Sequence, residues 1–357
     1  MSSVPHPEKT IGRPPLVRVE DLRVYFPISR KDTLKAVDGI SFEVFPNEVF
    51  GLIGESGSGK TTVGRTVVSL QQPTGGRVLL DGQDMRSLPA SDLRRMRRDY
   101  QIVFQDPAGA LNPRMTIRQS VTEPLRIEGK RARAEQDALA LECLGLVGLR
   151  PEHAERYPHE LSGGQKQRVN IARVLTMKPK LVVCDEAVAA LDVSIQAEII
   201  NLFDKLQREL GLAYLFISHD LSVVAHVSHR IAVMYLGRLV EVGDVDGIIS
   251  APMHPYTRAL LRSRPIPIPA SMRARSRPAL TGEIPSALSP PSGCRFRTRC
   301  AYARERCARE EPPLRELRAG QQVACHFAGE LPEEADRINE LREENGNERY
   351  RTTTQPN

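Results

Sequence analysis

The chain has 357 residues, a formal net charge of +6 and an apolar content of 40%. These values indicate a globular protein with more than one lobe and exclude a fibrous or disordered chain. No apolar run approaches the roughly 18–20 residues that a membrane-spanning helix requires. The first fifteen residues, MSSVPHPEKTIGRPP, lack the apolar segment of a secretory signal, so we expect a cytoplasmic protein whose residues 1–16 form a flexible arm.

Strands and helices are predicted in alternation along residues 17–262. The segments VRVEDLRVYF and KAVDGISFEV predict short strands, and VFGLIG predicts a buried strand that leads into a glycine-rich turn. Charged, helix-like sequence predicts a helical subdomain at about 107–175, followed by the apolar strands LVVCDE and AYLFISHD. This alternation predicts an α/β fold with a mostly parallel sheet that is covered on both faces.

The glycine-rich turn matches the pattern of a phosphate-binding loop, Gly-x-x-x-x-Gly-Lys-Thr, between a strand and a helix. Glycines let successive backbone N–H groups turn toward phosphate oxygens at a helix N-terminus, which itself favours anions. Lys60 is predicted to reach the β- and γ-phosphates, and the Thr61 hydroxyl to bind Mg²⁺. The predicted nucleotide contacts of this loop are Gly54, Glu55, Ser56, Gly57, Ser58, Gly59, Lys60, Thr61 and Thr62.

Two consecutive carboxylates end the strand LVVCDE. A phosphate-loop enzyme needs a carboxylate for its metal at the end of a neighbouring strand, and Asp185 is predicted to fill that role. Glu186 is the candidate to polarise an attacking water, because adjacent carboxylates can divide the metal and base functions.

The segment LSGGQKQRVNIAR, residues 161–173, is a second glycine turn that opens a helix. Together with the phosphate loop and LVVCDE, it resembles the nucleotide-binding subunit of ATP-binding-cassette (ABC) proteins over about residues 17–260. The resemblance implies a phosphate-loop NTPase fold with an antiparallel β subdomain, and ATP with Mg²⁺ as ligands. By matching the family's motifs, it implies that Gln105 binds Mg²⁺ and acts in catalysis, that Asp192 lies in the loop between sites and that His219 senses the γ-phosphate. It also places an aromatic ring, Phe26 or alternatively Tyr25, against adenine.

The resemblance further implies a partner for the second glycine turn. In this family two nucleotide-binding domains pair head to tail, and the signature turn of one covers the γ-phosphate of ATP on the other. The residues implied here are Ser162, Gly163, Gly164 and Gln165. Since the sequence contains one phosphate loop and one signature turn, we expect a second ATPase subunit, which in this branch is often a different chain.

One segment departs from the family pattern. Ala187, Val188 and Ala189 stand where the family commonly has Pro, Thr or Val, and Ser before Ala-Leu-Asp. The missing hydroxyl and proline could alter the loop between the two sites, but Glu186 and His219 are present, so an active site is still expected.

The C-terminal third resembles the extension of ATPases from oligopeptide and dipeptide importers, in HPYTRALLRSRPIPIP and in LTGEIPSALSPPSGCRFRTRCAYARERC. The implied division is a nucleotide-binding domain at 17–262, an extension at 263–330 and a charged, mobile tail at 331–357. The resemblance implies an ATPase on the cytoplasmic face of the membrane that drives two permease subunits, supplied by an extracytoplasmic solute-binding protein. Nickel and glutathione are alternative solutes of the same branch.

Four cysteines lie in this extension, at Cys294, Cys300, Cys307 and Cys325. Disulfides are not expected in a reducing cytosol, and the spacing lacks the tight C-x₂₋₄-C pair typical of zinc sites. Some members of the resembled branch hold a [4Fe–4S] cluster there, which is the preferred prediction, while zinc and free thiols remain open.

Arginines are concentrated in the same segment, at Arg295, Arg297, Arg299, Arg304, Arg306 and Arg309. Without interleaved aromatic residues on a recognisable nucleic-acid module, the run is interpreted as a solvated face rather than a nucleic-acid interface. A soluble ABC ATPase acting on nucleic acid is the weaker alternative, since such proteins usually carry two cassettes or a long coiled-coil insertion. A third alternative is a module that binds ATP without hydrolysing it.

Overall fold

A computed structural model describes residues 14–30, 32–263 and 282–331. Most of the predicted N-terminal arm, the Pro/Arg-rich stretch RPIPIPASMRARSRP after residue 263 and nearly all of the predicted C-terminal tail lie outside the described residues. Within the described ranges, no helix combines the length and the apolarity that crossing a membrane requires.

The structure has strands in two sheets. In chain order they are β1 (Val17–Pro27), β2 (Thr33–Val44), β3 (Val49–Ile53), β4 (Gly75–Leu80), β5 (Gln83–Asp84), β6 (Tyr100–Val103), β7 (Leu181–Asp185), β8 (Ala213–Ser218), β9 (Arg230–Tyr235), β10 (Arg238–Asp244), β11 (Arg315–Arg318) and β12 (Gln321–Val323). The α-helices are α1 (Lys60–Val67), α2 (Ala90–Asp99), α3 (Ile117–Glu128), α4 (Arg133–Leu146), α5 (Gly163–Leu175), α6 (Val193–Leu210), α7 (Leu221–Val227), α8 (Val245–Ser250), α9 (Pro255–Arg262) and α10 (Glu305–Arg309).

The larger sheet has eight strands in the order β11-β12-β10-β9-β3-β8-β7-β6. The five strands from β9 to β6 are parallel, as the sequence predicts. The other three are antiparallel additions. The chain reverses between β9 and β10 in a two-residue turn, Leu236-Gly237, where both residues have positive φ. Such a turn connects antiparallel neighbours, whereas parallel strands need a long crossover.

The smaller sheet is antiparallel, with the order β2-β1-β4-β5. It covers one face of the larger sheet together with α1. The other face packs against α5, α6 and the helical lobe. Residues of β7 alternate between the two cores, Leu181 and Val183 on one side and Val182 and Cys184 on the other. Burial on both faces explains why β7 and β8 are uninterrupted apolar runs.

The C-terminal extension shares the larger sheet. Strand β12 pairs with β10 through Glu241 and Val323, and β11 pairs with β12. The sheet therefore crosses the predicted boundary at residue 263, with β10 and β9 between the strands of the extension and β3, which leads into the phosphate loop.

Candidate nucleotide-binding site

The phosphate loop joins β3 to α1, where the sequence predicts it. Gly59 has φ of 105°, and a Cβ there would lie 2.1 Å from the Ala36 carbonyl oxygen, so only glycine fits this position. Lys60 is 4% exposed, and its Nζ donates to the Gly54 oxygen at 2.8 Å and the Glu55 oxygen at 3.0 Å. Burial lowers the pKa of Lys60, against the opposing effect of Glu186 and Asp185. The ammonium thus lies inside the turn, where phosphate oxygens are expected.

The structure brings Thr61 and Asp185 together. The Thr61 hydroxyl donates to Asp185 Oδ1 at 2.9 Å. Asp185 is 3% exposed, and burial raises the pKa of its carboxyl, partly offset by the hydrogen bond from Thr61. Mg²⁺ is typically held by one or two protein oxygens together with waters and substrate phosphates. An adjacent hydroxyl and carboxylate at the mouth of the loop fit that requirement.

Glu186 lies between the two other predicted catalytic side chains. Its Oε2 accepts a hydrogen bond from Gln105 Nε2 at 3.0 Å, and its Oε1 lies 3.5 Å from His219 Nδ1. The carboxylate side chain is 14% exposed, whereas that of His219 is 55% exposed. Glu186 has φ of 48°, a conformation that costs about 1–3 kcal/mol outside glycine and that the surrounding structure must hold in place. The three residues therefore form one cluster at the carboxyl ends of the parallel strands.

The signature turn has a different construction. The Ser162 hydroxyl accepts from the Gln165 N–H at 3.3 Å, and Gln165 Oε1 accepts from the Ser162 N–H at 3.0 Å. This reciprocal capping box starts α5, and outside the turn Gln165 Nε2 lies 3.4 Å from His153 Nε2. Ser162 and Gly163 are exposed. Gly164 is buried. A Cβ there would lie 2.5 Å from Ile195 Cγ2, so α6 packs directly against its backbone. The helix N-terminus is thus open to solvent and free to face a second molecule.

Two polar residues of α5 were not predicted from the sequence. Gln167 is fully buried, and its Nε2 donates to the Ala187 oxygen at 2.6 Å. Asn170 Nδ2 donates to the Pro107 oxygen at 3.1 Å. The signature helix is therefore tied to the loop after Glu186 and to the loop after Gln105. Ala187, one of the departures from the family pattern, is 2% exposed and serves through its backbone.

The remaining predicted residues are placed as follows. Asp192 is exposed and precedes the first residue of α6, and the neighbouring Val193 is 84% exposed. Phe26 is partly buried against the core beneath the antiparallel sheet. The Tyr25 hydroxyl instead donates to the Asp38 carboxylate. The adenine role of Phe26 stays a prediction.

The four cysteines of the extension line one small cavity of about 10 Å³, room for roughly one water. Burial raises the pKa of Cys294 to about 12 and of Cys300 to about 11, so without a bound metal both thiols are protonated at neutral pH. Across residues 14–30, 32–263 and 282–331, no group of three or more His, Cys, Asp or Glu side chains is arranged to hold a metal ion. The donor set suits a Cys₄ site in kind, and the iron–sulfur cluster stays a prediction.

The interpretation of the arginine run as a solvated face was wrong for two of its members. The side chains of Arg295 and Arg299 are 10% and 4% exposed. Arg295 pairs with Asp38, and Arg299 pairs with Glu55 of the phosphate loop. Burial is possible because each guanidinium meets a carboxylate from a distant part of the chain. Arg304, Arg306 and Arg309 are exposed, as expected.

Three features lie together at the carboxyl ends of the parallel strands: the phosphate loop, the Thr–Asp pair, and a glutamate beside a glutamine and a histidine. Together they define a phosphate-loop NTPase cassette. Comparison with known families agrees. The family model described as ABC transporter matches residues 37–189, and the one described as oligopeptide/dipeptide transporter, C-terminal region, matches residues 240–307.

Similar proteins cover most of the chain. A putative oligopeptide transport ATP-binding protein of Bacillus subtilis, YkfD, is 47% identical over 88% of this chain and 96% of its own length. A probable peptide ABC transporter ATP-binding protein of Sinorhizobium fredii, y4tS, is 49% identical over 87% of this chain and 89% of its own. A solved dimeric structure of the ATP-binding cassette MJ0796, bound to ADP and Pi, has a TM-score of 0.59 and 30% identity, covering 64% of this chain and 98% of that one. The chain therefore belongs to the ATP-binding subunits of ABC transporters, in the branch with the oligopeptide/dipeptide transporter C-terminal region.

Proposed function

We propose that this chain is the ATP-hydrolysing subunit of an importer for di- and oligopeptides. The observation that carries the proposal is the cluster of Gln105, Glu186 and His219 beside the Thr61–Asp185 pair. The peptide assignment is supported by the C-terminal region and by the names of its relatives.

In this proposal each residue of the site has a defined task. Backbone N–H groups of the loop and Lys60 bind the phosphates, as expected for a helix N-terminus with a lysine. Thr61 and Asp185 would hold Mg²⁺, with Gln105 as a further candidate ligand, and the ion when bound would neutralise charge on the phosphate oxygens. Glu186 accepts a hydrogen bond from the attacking water and orients it. The imidazole of His219 contacts the γ-phosphate.

The signature turn serves a second molecule in this proposal. Ser162, Gly163, Gly164 and Gln165 bind the γ-phosphate of ATP held by the partner ATPase, with Asp192 near the same interface. Their exposed position at a helix N-terminus supports this role. So does the solved dimer of the cassette MJ0796. ATP then joins the two subunits, and hydrolysis separates them.

The assembly proposed is a pair of ATPase subunits, of which the second is a different chain, under two transmembrane permeases at the cytoplasmic face of the membrane. An extracytoplasmic solute-binding protein supplies the peptide. Mass spectrometry of the detergent-extracted complex identifies these chains. Recovery of the subunit without permeases, and ATPase activity stimulated by duplex DNA, would contradict the assignment.

The catalytic test is Glu186→Gln in the assembled complex. Loss of the carboxylate is expected to lower ATP turnover by about 10²–10⁴-fold, to leave ATP bound and to trap the closed pair, and peptide uptake should stop. Glu209→Gln, an exposed change at the end of α6, is the matched control. Negligible turnover in the unaltered complex would favour a module that binds ATP without hydrolysis. Uptake of nickel or glutathione instead of peptides would change only the proposed solute, and the assignment as an importer ATPase would stand.

We further propose that Cys294, Cys300, Cys307 and Cys325 hold a [4Fe–4S] cluster. The cluster would supply four iron–sulfur bonds that link residues 294–307 to residue 325. Support comes from the closeness of the four cysteines and from their donor chemistry; the cavity between them has room for about one water and would have to open to admit the cluster. Iron and sulfide analysis of protein purified without oxygen, with Cys307→Ser as the depleted variant, tests this. Zinc, or metal-free protein with full ATP binding, would contradict it.

A further inference from the structure

The phosphate loop is held from outside by a residue of the C-terminal extension. Arg299 Nη1 donates to Glu55 Oε2 at 2.6 Å, and Nη2 donates to Glu55 Oε1 at 3.0 Å. This bidentate pair is mostly removed from water, with the Arg299 side chain 4% and the Glu55 side chain 22% exposed. Two parallel charge-assisted hydrogen bonds fix both distance and orientation.

Glu55 is also held through its backbone. Its N–H donates to the Tyr256 hydroxyl at 2.9 Å, and its carbonyl oxygen accepts from Lys60 Nζ at 3.0 Å. Tyr256 is fully buried in α9. The residue that opens the phosphate turn is therefore fixed at three groups, two of which bind side chains from beyond residue 250.

The arginine itself is held by an aromatic cluster. Its guanidinium carbon lies 5.9 Å from the centroid of the Tyr235 ring. Phe296 packs against both Tyr235 and Tyr256, with centroid distances of 5.3 Å, and is 3% exposed. The extension thus presents Arg299 from a packed base rather than from a free loop.

A second arginine of the same segment, Arg295, is connected to the other end of the phosphate loop. Arg295 donates to the Leu236 oxygen and pairs with Asp38. In the turn after β9, the Gly237 N–H donates to the Ser58 oxygen at 2.9 Å. Both ends of the phosphate turn are therefore connected to residues 295–299.

We propose that Arg299 is a positioning residue for nucleotide binding, which sets the conformation of the phosphate loop through Glu55. The inference rests on the proposed ATP site. Arg299 touches no reacting group, so its loss should weaken ATP binding and leave the chemical step largely intact. Removal of the guanidinium leaves a partly buried carboxylate unpaired at the start of the turn, and the turn must rearrange to hydrate it.

The test compares nucleotide affinity of the purified full chain with Arg299 replaced. For Arg299→Met we expect the Kd of a fluorescent ATP analogue to rise about 10–100-fold, and the KM for ATP in the complex to rise at nearly unchanged kcat. Arg299→Lys should recover part of the affinity, because it keeps the charge but not the fork. Arg309→Met, which removes an exposed pair with Glu305 in the same extension, is the matched control and should bind like the parent.

Glu55→Gln provides a milder variant, should Arg299→Met fail to fold. It should weaken binding in the same way, and the double variant with Arg299→Met should be no weaker than the worse single change, because both remove one interaction. Unchanged affinity in Arg299→Met, an equal loss in Arg309→Met or additive losses in the double variant would overturn the inference. A parent chain that bound no nucleotide would instead overturn the proposed function.

Discussion

The two glycine turns of this molecule look alike in sequence but are held differently. Each opens a helix, α1 or α5, whose first N–H groups have no partner within the helix. The phosphate loop is fixed by residues from other parts of the chain, among them Tyr256 and Arg299. The signature turn is capped by its own residues and is exposed. Under the proposed function, the turn that binds nucleotide in its own chain is braced by distant residues, whereas the turn proposed to serve the partner's nucleotide is exposed.

The largest effect is expected from replacing Gly59 in the phosphate loop, with Gly163 in the signature turn as the comparison. In Gly59→Ala the new Cβ would meet the Ala36 oxygen at 2.1 Å, and φ of 105° is strained for alanine. ATP affinity of the isolated subunit should fall by ~100-fold or more. In Gly163→Ala the new Cβ would lie 3.7 Å from Leu191 Cδ2, an ordinary contact, so affinity should stay within about twofold. Titration with a fluorescent ATP analogue measures both.

Gly57→Ala separates strain from collision in the same assay. Its φ of 78° is unfavourable, but no heavy atom lies within 4 Å of the new Cβ. An intermediate loss of affinity is expected. Equal losses in the phosphate loop and the signature turn would contradict the contrast between them.

The next effect concerns Ser162→Ala. It removes the hydroxyl that accepts from Gln165, so the subunit should lose about 1 kcal/mol of unfolding free energy. ATP binding to the isolated subunit should be unchanged, while turnover of the assembled complex should fall ~10–100-fold, because a donor to the γ-phosphate is missing. Thermal melts, binding and ATPase assays separate the three quantities. Weakened binding in the isolated subunit would place Ser162 in its own chain's site.

The smallest effect on turnover is expected from Gln167→Ala, which cuts the link between the signature helix and the loop after Glu186. The unpaired Ala187 oxygen should cost about 1–3 kcal/mol of stability, and turnover should fall severalfold. Asn170→Ala, which frees the Pro107 oxygen instead, is the matched comparison for the loop after Gln105. Full turnover in both variants would show that α5 does not couple the two loops.

Local pattern was enough to predict the phosphate loop, the strand ending in Asp185 and the alternation of helices with the parallel strands, since loop geometry and apolar runs are set by neighbouring residues. The family resemblance supplied Gln105 and His219, which the structure brings to Glu186. Pairings across the chain could not be predicted. The ion pair between Glu55 and Arg299 joins residues 244 positions apart, and no periodicity encodes such a contact.

The antiparallel part of the larger sheet shows the same limit. Strand β10 could be inferred from the Leu236-Gly237 turn, but β11 and β12 are short, and they extend the sheet beyond β10. The exposed appearance of Arg295 and Arg299 in sequence was misleading for the same reason, because their carboxylate partners lie far away along the chain.

The proposed binding of ATP between two ATPase subunits is tested most directly by a cryo-EM map of the Glu186→Gln complex with ATP and Mg²⁺. We expect Ser162 Oγ to lie within about 3 Å of a γ-phosphate oxygen of the nucleotide on the partner ATPase. A closed, nucleotide-filled pair in which Ser162 contacts no phosphate would contradict it.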